Sequence, residues 1–187
     1  MRSDLVAPAS AGAERLWVST PPPRETLDSC LRRNDGRKNL VTITVRPLTT
    51  TDRTAWQALW KDYLDFYKTS LPPEQFDLTW ARFHDPAEPM FALGAFENEA
   101  MLGIVHYIFH RSCWTPGPYV YLQDLFTAAD ARGKGVGRAL IAAVYAAAKA
   151  EGASRVHWLT HETNAKAMVL YNDVADRSGF LQYRKVL

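Results

Sequence analysis

Cysteine is scarce: Cys30 and Cys113 are the only two in 187 residues, far apart and in unrelated contexts. Two such thiols do not make a disulfide framework; free thiols in a reducing cytoplasm are expected. Long apolar runs are also missing, so nothing reads as a membrane span. The first residues, with Asp4 and Glu14, lack the unbroken apolar segment of a secretory signal. Net charge is only +2 and unevenly placed. Residues 1–39 hold seven Lys and Arg against five Asp and Glu, which leaves fifteen of each for the remainder. A neutral domain carries no electrostatic footprint for nucleic acid. His106 and His110 have no third ligand at metal spacing, so they read as ordinary strand histidines and no metal is expected.

What is present is a globular composition, 47% hydrophobic and 22% charged, at a length that suits one domain with a sizeable core. Residues 1–39 stand apart from it. They contain Pro21-Pro22-Pro23 and an Ala-Pro-Ser-Gly stretch without helical or strand period, so they cannot offset their ordering entropy. Residues 27–36 resemble translated intergenic repeat sequence, which implies a native start further along. The expected division is a disordered or non-native extension over 1–39 and a folded domain over 40–187.

Within the domain, Leu40–Arg46 alternates and is β-branched, which predicts a strand. Thr50, Thr51 and Asp52 offer an N-cap to a helix whose stripe is Trp56, Leu59, Trp60, Tyr63, Leu64 and Tyr67. Leu71-Pro72-Pro73 ends it, and Phe76, Trp80 and Phe83 predict a second, shorter helix. Their aromatics, with Asp62 and Asp65, suit either a core with a solvated face or a site for a cationic amine; the core reading is favoured. Strands are expected over Met90–Phe96 and Met101–Phe109 as a hairpin, and then over Tyr119–Phe126. After a long alanine-rich helix ended by Gly152, a strand over Val156–Thr160, a helix from about Asn164, and a closing strand over Leu181–Val186 follow. The order predicts a mixed α/β sheet.

The centre of the pattern is Arg132-Gly133-Lys134-Gly135-Val136-Gly137, ahead of Arg138-Ala139-Leu140 and the alanine-rich helix. A helix N-terminus with bare glycine amides is an anion site, because its first N–H groups are unpaired and the macrodipole favours negative charge. Arg132 and Lys134 add donors, so a pyrophosphate cradle is predicted. A dinucleotide fingerprint needs G-x-G-x-x-G directly after a strand, and a nucleoside-triphosphate loop ends in Gly-Lys-Ser/Thr. The spacing here fits neither.

Arg-x-x-Gly-x-Gly, from Arg132 to Gly137, resembles the acyl-CoA signature of the GNAT superfamily of N-acetyltransferases. Asn164-x-x-Ala167-x-x-Leu170-Tyr171 followed by Ser178-Gly179-Phe180 resembles its second motif, with Asn172–Arg177 lengthening the helix by about a turn. Such longer versions belong to a branch similar to histone and polyamine acetyltransferases. The resemblance covers residues 41–187. It implies the acyl-CoA N-acyltransferase fold, a mixed and mostly antiparallel sheet flanked by helices. It also implies acetyl-CoA as co-substrate and an amine as acceptor, with a homodimer as the common assembly. Polyamines or other small amines come first as acceptors, then a protein lysine or N-terminus. A catalytically silent acyl-CoA sensor is the third reading.

The same resemblance places the pantetheine arm by Leu125, Phe126 and Thr127. It places the pyrophosphate on Arg132, Gly133, Lys134, Gly135, Val136, Gly137 and Arg138, with Asn164 on the arm's other side and Tyr171 near the thioester sulfur. The chemistry needs such parts: a protonated amine is no nucleophile, and a departing thiolate benefits from an acid, for which Tyr171 is the candidate. The base is open. Tyr121–Phe126 most resembles the strand of spermidine/spermine acetyltransferases, in which a glutamate stands at the place of Gln123. An amide does not titrate. Asp124, whose side chain on a regular strand faces away from Gln123's, and Glu162 remain as candidates. Asp124 reads equally as a hydrogen-bonded structural acid.

Overall fold

The structure, a computed structural model, describes residues 42–187. The expected N-terminal extension and Cys30 lie outside these residues. Five strands form one sheet in the order β1 (Thr44–Pro47), β2 (Met90–Glu97), β3 (Ala100–His110), β4 (Tyr119–Thr127) and β5 (Arg155–His157). Every pairing is antiparallel except β4 with β5. Helices α1 (Arg53–Phe66) and α2 (Pro73–His84) precede β2. Helix α3 (Val136–Ala150) connects β4 to β5, and α4 (Ala165–Val174) follows. The mixed, mostly antiparallel sheet is the one expected. Among the described residues no helix is long and apolar enough to cross a membrane.

Several boundaries differ from the expectation. Strand β1 begins at Thr44, and β5 is three residues long, ending before Trp158. Helix α4 runs on past Tyr171 through Asn172, Asp173 and Val174, about one turn, and stops there, so Ala175–Arg177 lie outside it. Residues 181–187 form no strand and are exposed, among them Leu181 and Tyr183. Alternation alone does not make a strand; it needs a neighbour to supply the hydrogen bonds.

Each face of the sheet has its own core. On one, Val136, Leu140, Ile141 and Val144 of α3 pack against Val105, Tyr107, Val120 and Leu122. Alanines between these residues let the helix lie close. On the other, Trp56, Leu59, Trp60 and Leu64 of α1 and Phe76 of α2 cover Ala92, Phe96, Ile104 and Phe126. The aromatic stripe is mostly core, as its spacing indicates, and Asp62 and Asp65 are exposed. Ahead of α1, a 3-10 turn over Thr50–Asp52 is tied down by Asp52, which accepts from the Thr49 backbone N–H (2.7 Å) and from Arg46 (2.6 Å).

The two cores are fed by one strand in an unusual way. Leu122 pairs with Tyr107 on the α3 face, while Asp124 pairs with His106 on the α1 face. Gln123 between them has no partner across the ladder, which makes it a β-bulge. The extra residue inverts the alternation: Val120 and Leu122 belong to one core, Phe126 to the other.

Candidate active site

The bulge also marks where β4 leaves β5. The two strands pair from Tyr119 to Tyr121 against Arg155 to His157, and β4 continues alone with β3 to Thr127. A bulge bends its strand and interrupts pairing. The result is a splayed slot whose near edge is β4 from Leu122 to Thr127 and whose far wall is α4. Leu125 and Thr127 are half-buried along that edge, and Phe126 points into the core.

At one end of the slot lies the glycine loop. Gly133 (φ +78°) and Gly135 (φ +90°) are both left-handed, which only glycine adopts without cost. A Cβ at either would meet nothing within 4 Å, so the amides stand in open space. Gly135 caps α3, and no side chain caps the helix. Its first N–H groups therefore stand free of intrahelical partners. Arg132 and Lys134 are exposed beside them. Arg138 bonds Asp173 of α4, bridging the two helices. Gly137 has ordinary helical φ, but a Cβ there would lie 3.2 Å from Leu170 and 3.8 Å from the Thr127 hydroxyl. It would protrude into the slot.

At the other end, Asp124 is buried at 9% exposure. His106 Nδ1 donates to its Oδ2 at 2.9 Å, and Trp56 Nε1–H donates to His106 Nε2 at 2.8 Å. Burial first, then the nearby Asp124 carboxylate, push the Tyr63 phenol far above the usual range. Burial raises Tyr67 and Tyr121 as well, with the Asp124 charge adding to both. The carboxylate's charge thus reaches Tyr63 of α1, Tyr67 at the helix end and Tyr121 of β4, with Tyr63 and Tyr67 in edge contact at 5.0 Å.

Tyr171 of α4 closes the far wall, packed edge-on against Trp158 at 5.4 Å. Burial, and then Tyr67, push its hydroxyl up to about 12, so it is a firmly protonated donor at neutral pH. Tyr67 is thus an electrostatic neighbour of Tyr171 on one side and of Asp124 on the other. Asn164 caps α4 and donates to the Thr160 hydroxyl at 3.2 Å. Glu162 is exposed in the turn before it, and among the described residues no hydrogen bond joins it to the Asp124 cluster. Sequence reasoning missed Trp56, Tyr63, Tyr67 and His106, taking the first three as core and His106 as an ordinary strand residue. Tyr67 carries a faint signal, a large aromatic at a helix end that remains 42% exposed.

Known proteins share this fold. Residues 56–174 match the model of the Acetyltransferase (GNAT) family. A D-amino-acid N-acetyltransferase of Saccharomyces cerevisiae is 39% identical over 145 residues, covering 76% of this chain and 90% of the yeast protein. A thialysine N-epsilon-acetyltransferase of Mus musculus is 32% identical over 103 residues, 52% of this chain and 60% of the mouse protein. Among solved structures, the ribosomal-protein-alanine N-acetyltransferase of Brucella melitensis biovar Abortus superposes with TM-score 0.68 at 19% identity, covering 78% of this chain and 99% of that one. AAC(6')-Iy, solved with the bisubstrate analogue CoA-S-monomethyl-acetylneamine, gives TM-score 0.67 at 18% identity, again over 78% and 99%. With the family match spanning more than half its length and the yeast relative most of it, this chain belongs to the GNAT family of acetyltransferases.

Proposed function

We propose that this N-acetyltransferase acetylates the amino group of a small, positively charged amine, of the polyamine or amino-acid class, by direct attack on acetyl-CoA. The observation that carries the reading is the buried Asp124 carboxylate, whose charge reaches Tyr63, Tyr67 and Tyr121, beside the splay of β4. An ammonium group is attracted by a carboxylate and by aromatic faces together. The names of the yeast and mouse relatives, which cite D-amino acids and thialysine, support the same class.

In this reading the co-substrate's pyrophosphate sits on the N-terminal amides of α3 with Arg132 and Lys134. The pantetheine arm lies along the free edge of β4, between Leu125–Thr127 and Asn164. Asp124 accepts the proton of the bound ammonium, directly or through one water. The freed amine attacks the thioester carbonyl, and the C–S bond breaks as the C–N bond forms. Tyr171 gives its proton to the departing thiolate and recovers, through solvent, the second proton that the attacking nitrogen sheds as it becomes an amide. Glu162, exposed and away from the cluster, has no step in this scheme.

The test is thiol release from acetyl-CoA across a panel of polyamines, free D- and L-amino acids, thialysine and lysine peptides. Turnover on small amines well above that on peptides is expected. A higher kcat/KM on a peptide than on every small amine overturns the assignment.

A further inference from the structure

His106 and Trp56 take no part in the steps above, yet both are almost fully buried, at 3% and 0% exposure. An indole N–H can only donate. At 2.8 Å it makes His106 Nε2 the acceptor, which puts the ring's proton on Nδ1, the atom 2.9 Å from Asp124 Oδ2. Both imidazole nitrogens are therefore spoken for. His106 is neither a base facing the acceptor nor a free metal ligand. Its ring is fenced by Trp56, Trp60 and Phe83 at 6.0, 5.6 and 4.8 Å. A histidine used only for packing needs none of this: three aromatic walls and two directed hydrogen bonds fix one tautomer in one orientation.

We infer that His106, locked in its Nδ1–H tautomer by Trp56, is a positioning residue for Asp124. It holds one carboxylate oxygen and aims the remaining lone pairs at the acceptor amine. The inference rests on the reading of Asp124 as the base. It orders the parts as indole to imidazole to carboxylate, with the carboxylate doing the proton transfer. The bulge at Gln123 makes this possible, because it turns Asp124 onto the face that His106 occupies. The hydrogen bond stabilises the ionised carboxylate against the cost of its burial. The other groups facing Asp124 are Tyr63 and Tyr67 from α1 and Tyr121 from β4. On the indole side stands Arg53, 4.9 Å over the Trp56 ring and paired with Asp77 of α2. The tyrosines are held protonated by burial and Arg53 is engaged by Asp77, so the imidazole is the ring-nitrogen donor on the carboxylate.

Four variants test this in the full-length enzyme, with acetyl-CoA affinity by calorimetry as the control. Asp124→Asn tests the base itself, and a fall in kcat/KM of roughly 10²-fold or more is expected at neutral pH. His106→Leu removes the donor at similar volume. It should lower kcat about tenfold or more and move the acid limb of kcat/KM upward by about one pH unit, the scale of one hydrogen bond to a charged group. His106→Asn, whose amide N–H lies near the position of Nδ1, should return the limb toward its wild-type place. Trp56→Phe keeps the ring contacts and frees Nε2. The ¹⁵N spectrum of His106 should then leave the Nδ1–H pattern, and kcat should fall. An unmoved acid limb in His106→Leu, with Asp124→Asn inactive, overturns the role of His106 and leaves the base in place. An active Asp124→Asn overturns the base reading. Should His106→Leu not fold, Trp56→Phe decides: a changed tautomer with unchanged kcat sinks the inference, as does an unchanged tautomer.

Discussion

The segment from Arg53 to Thr127 and the segment from Arg155 onward approach the slot from opposite sides, and they are held in different ways. The first contributes the whole α1 core, the buried Trp56–His106–Asp124 chain and the long strands of the sheet. The second has a three-residue strand, a helix without a fully buried residue, and a C-terminal run with Phe180, Leu181 and Tyr183 exposed. Its ties to the body are the short β5 pairing with β4, the half-buried Val156, Trp158, Leu170, Tyr171 and Val174, the Tyr145 hydroxyl to the Val174 carbonyl (3.0 Å), and the exposed Arg138–Asp173 bridge. Local stability follows apolar burial. The acceptor side is therefore the rigid wall and the α4 side the adjustable one, so substitutions in the first should register in stability and those in the second in turnover.

The largest expected effect is on the rigid wall. Trp56→Ala empties the centre of the α1 core and should cost about 3–5 kcal/mol in denaturant unfolding, the usual scale for a large buried aromatic. A loss under 1 kcal/mol would mean that the two sides are not held differently.

Next comes the cradle that joins them. Gly137→Glu adds a side chain pointing between Leu170 and Thr127 and a negative charge where an anion should lie. Coenzyme A affinity should fall by roughly 10²-fold or more, while the fold persists because φ at 137 is already helical and Leu170 sits on the yielding wall. Gly135 is the poorer choice, since φ +90° would strain any side chain. Unchanged affinity by calorimetry in a folded variant would remove the phosphate site from α3.

Tyr171→Phe tests the yielding wall. It keeps the ring on Trp158 and removes the proton, so kcat should fall by roughly 10²-fold, with melting temperature and acetyl-CoA affinity nearly unchanged. The sign of its pH dependence follows from its raised value. The protonated, active form persists up to about 12, so Tyr171 should put no alkaline limb on kcat below about pH 10. A limb near pH 8 that disappears in the phenylalanine variant would contradict the shift.

The smallest effect belongs to the Arg138–Asp173 bridge. Both side chains are substantially exposed, so Asp173→Asn should change stability by less than about 1 kcal/mol. Freed of its carboxylate, Arg138 should strengthen coenzyme A binding a few-fold; a weakening would show that the bridge positions Arg138 for the pyrophosphate.

Much of the rigid half, and α3 after it, was legible in the sequence. Long periodic segments state their own structure: α1 from its aromatic stripe, the β2–β3 hairpin from two apolar runs around a polar turn, α3 from its glycines and alanines. The adjustable half was read less well. Leu181–Val186 has a strand's composition, but the ladder that would make it a strand is not a property of the segment. At the site, the glycine loop before α3 and the place of Tyr171 on α4 were visible because each belongs to a local motif. His106 and Trp56 were not, because fifty residues separate two atoms 2.8 Å apart and neither has a local signature. Asp124 lay between these cases: its acidity was plain, but its orientation depended on a pairing irregularity that no single strand reveals.

That irregularity works like a shift of parity. Counting along β4, a reader who assumes strict even–odd order assigns Leu122, Asp124 and Phe126 to a single side; the uncounted Gln123 changes odd to even for everything after it. What the architecture needs at 123 is therefore a residue, not a particular one. An acid, an amide or a serine there would leave Asp124 facing His106. Deleting the position would also keep each later side chain on its present side, while straightening β4 and letting it run on beside β5. The opening between the strands is thus encoded in chain length rather than in chemistry, and exchanging glutamate for glutamine at this place edits a solvent-facing side chain without touching the buried carboxylate.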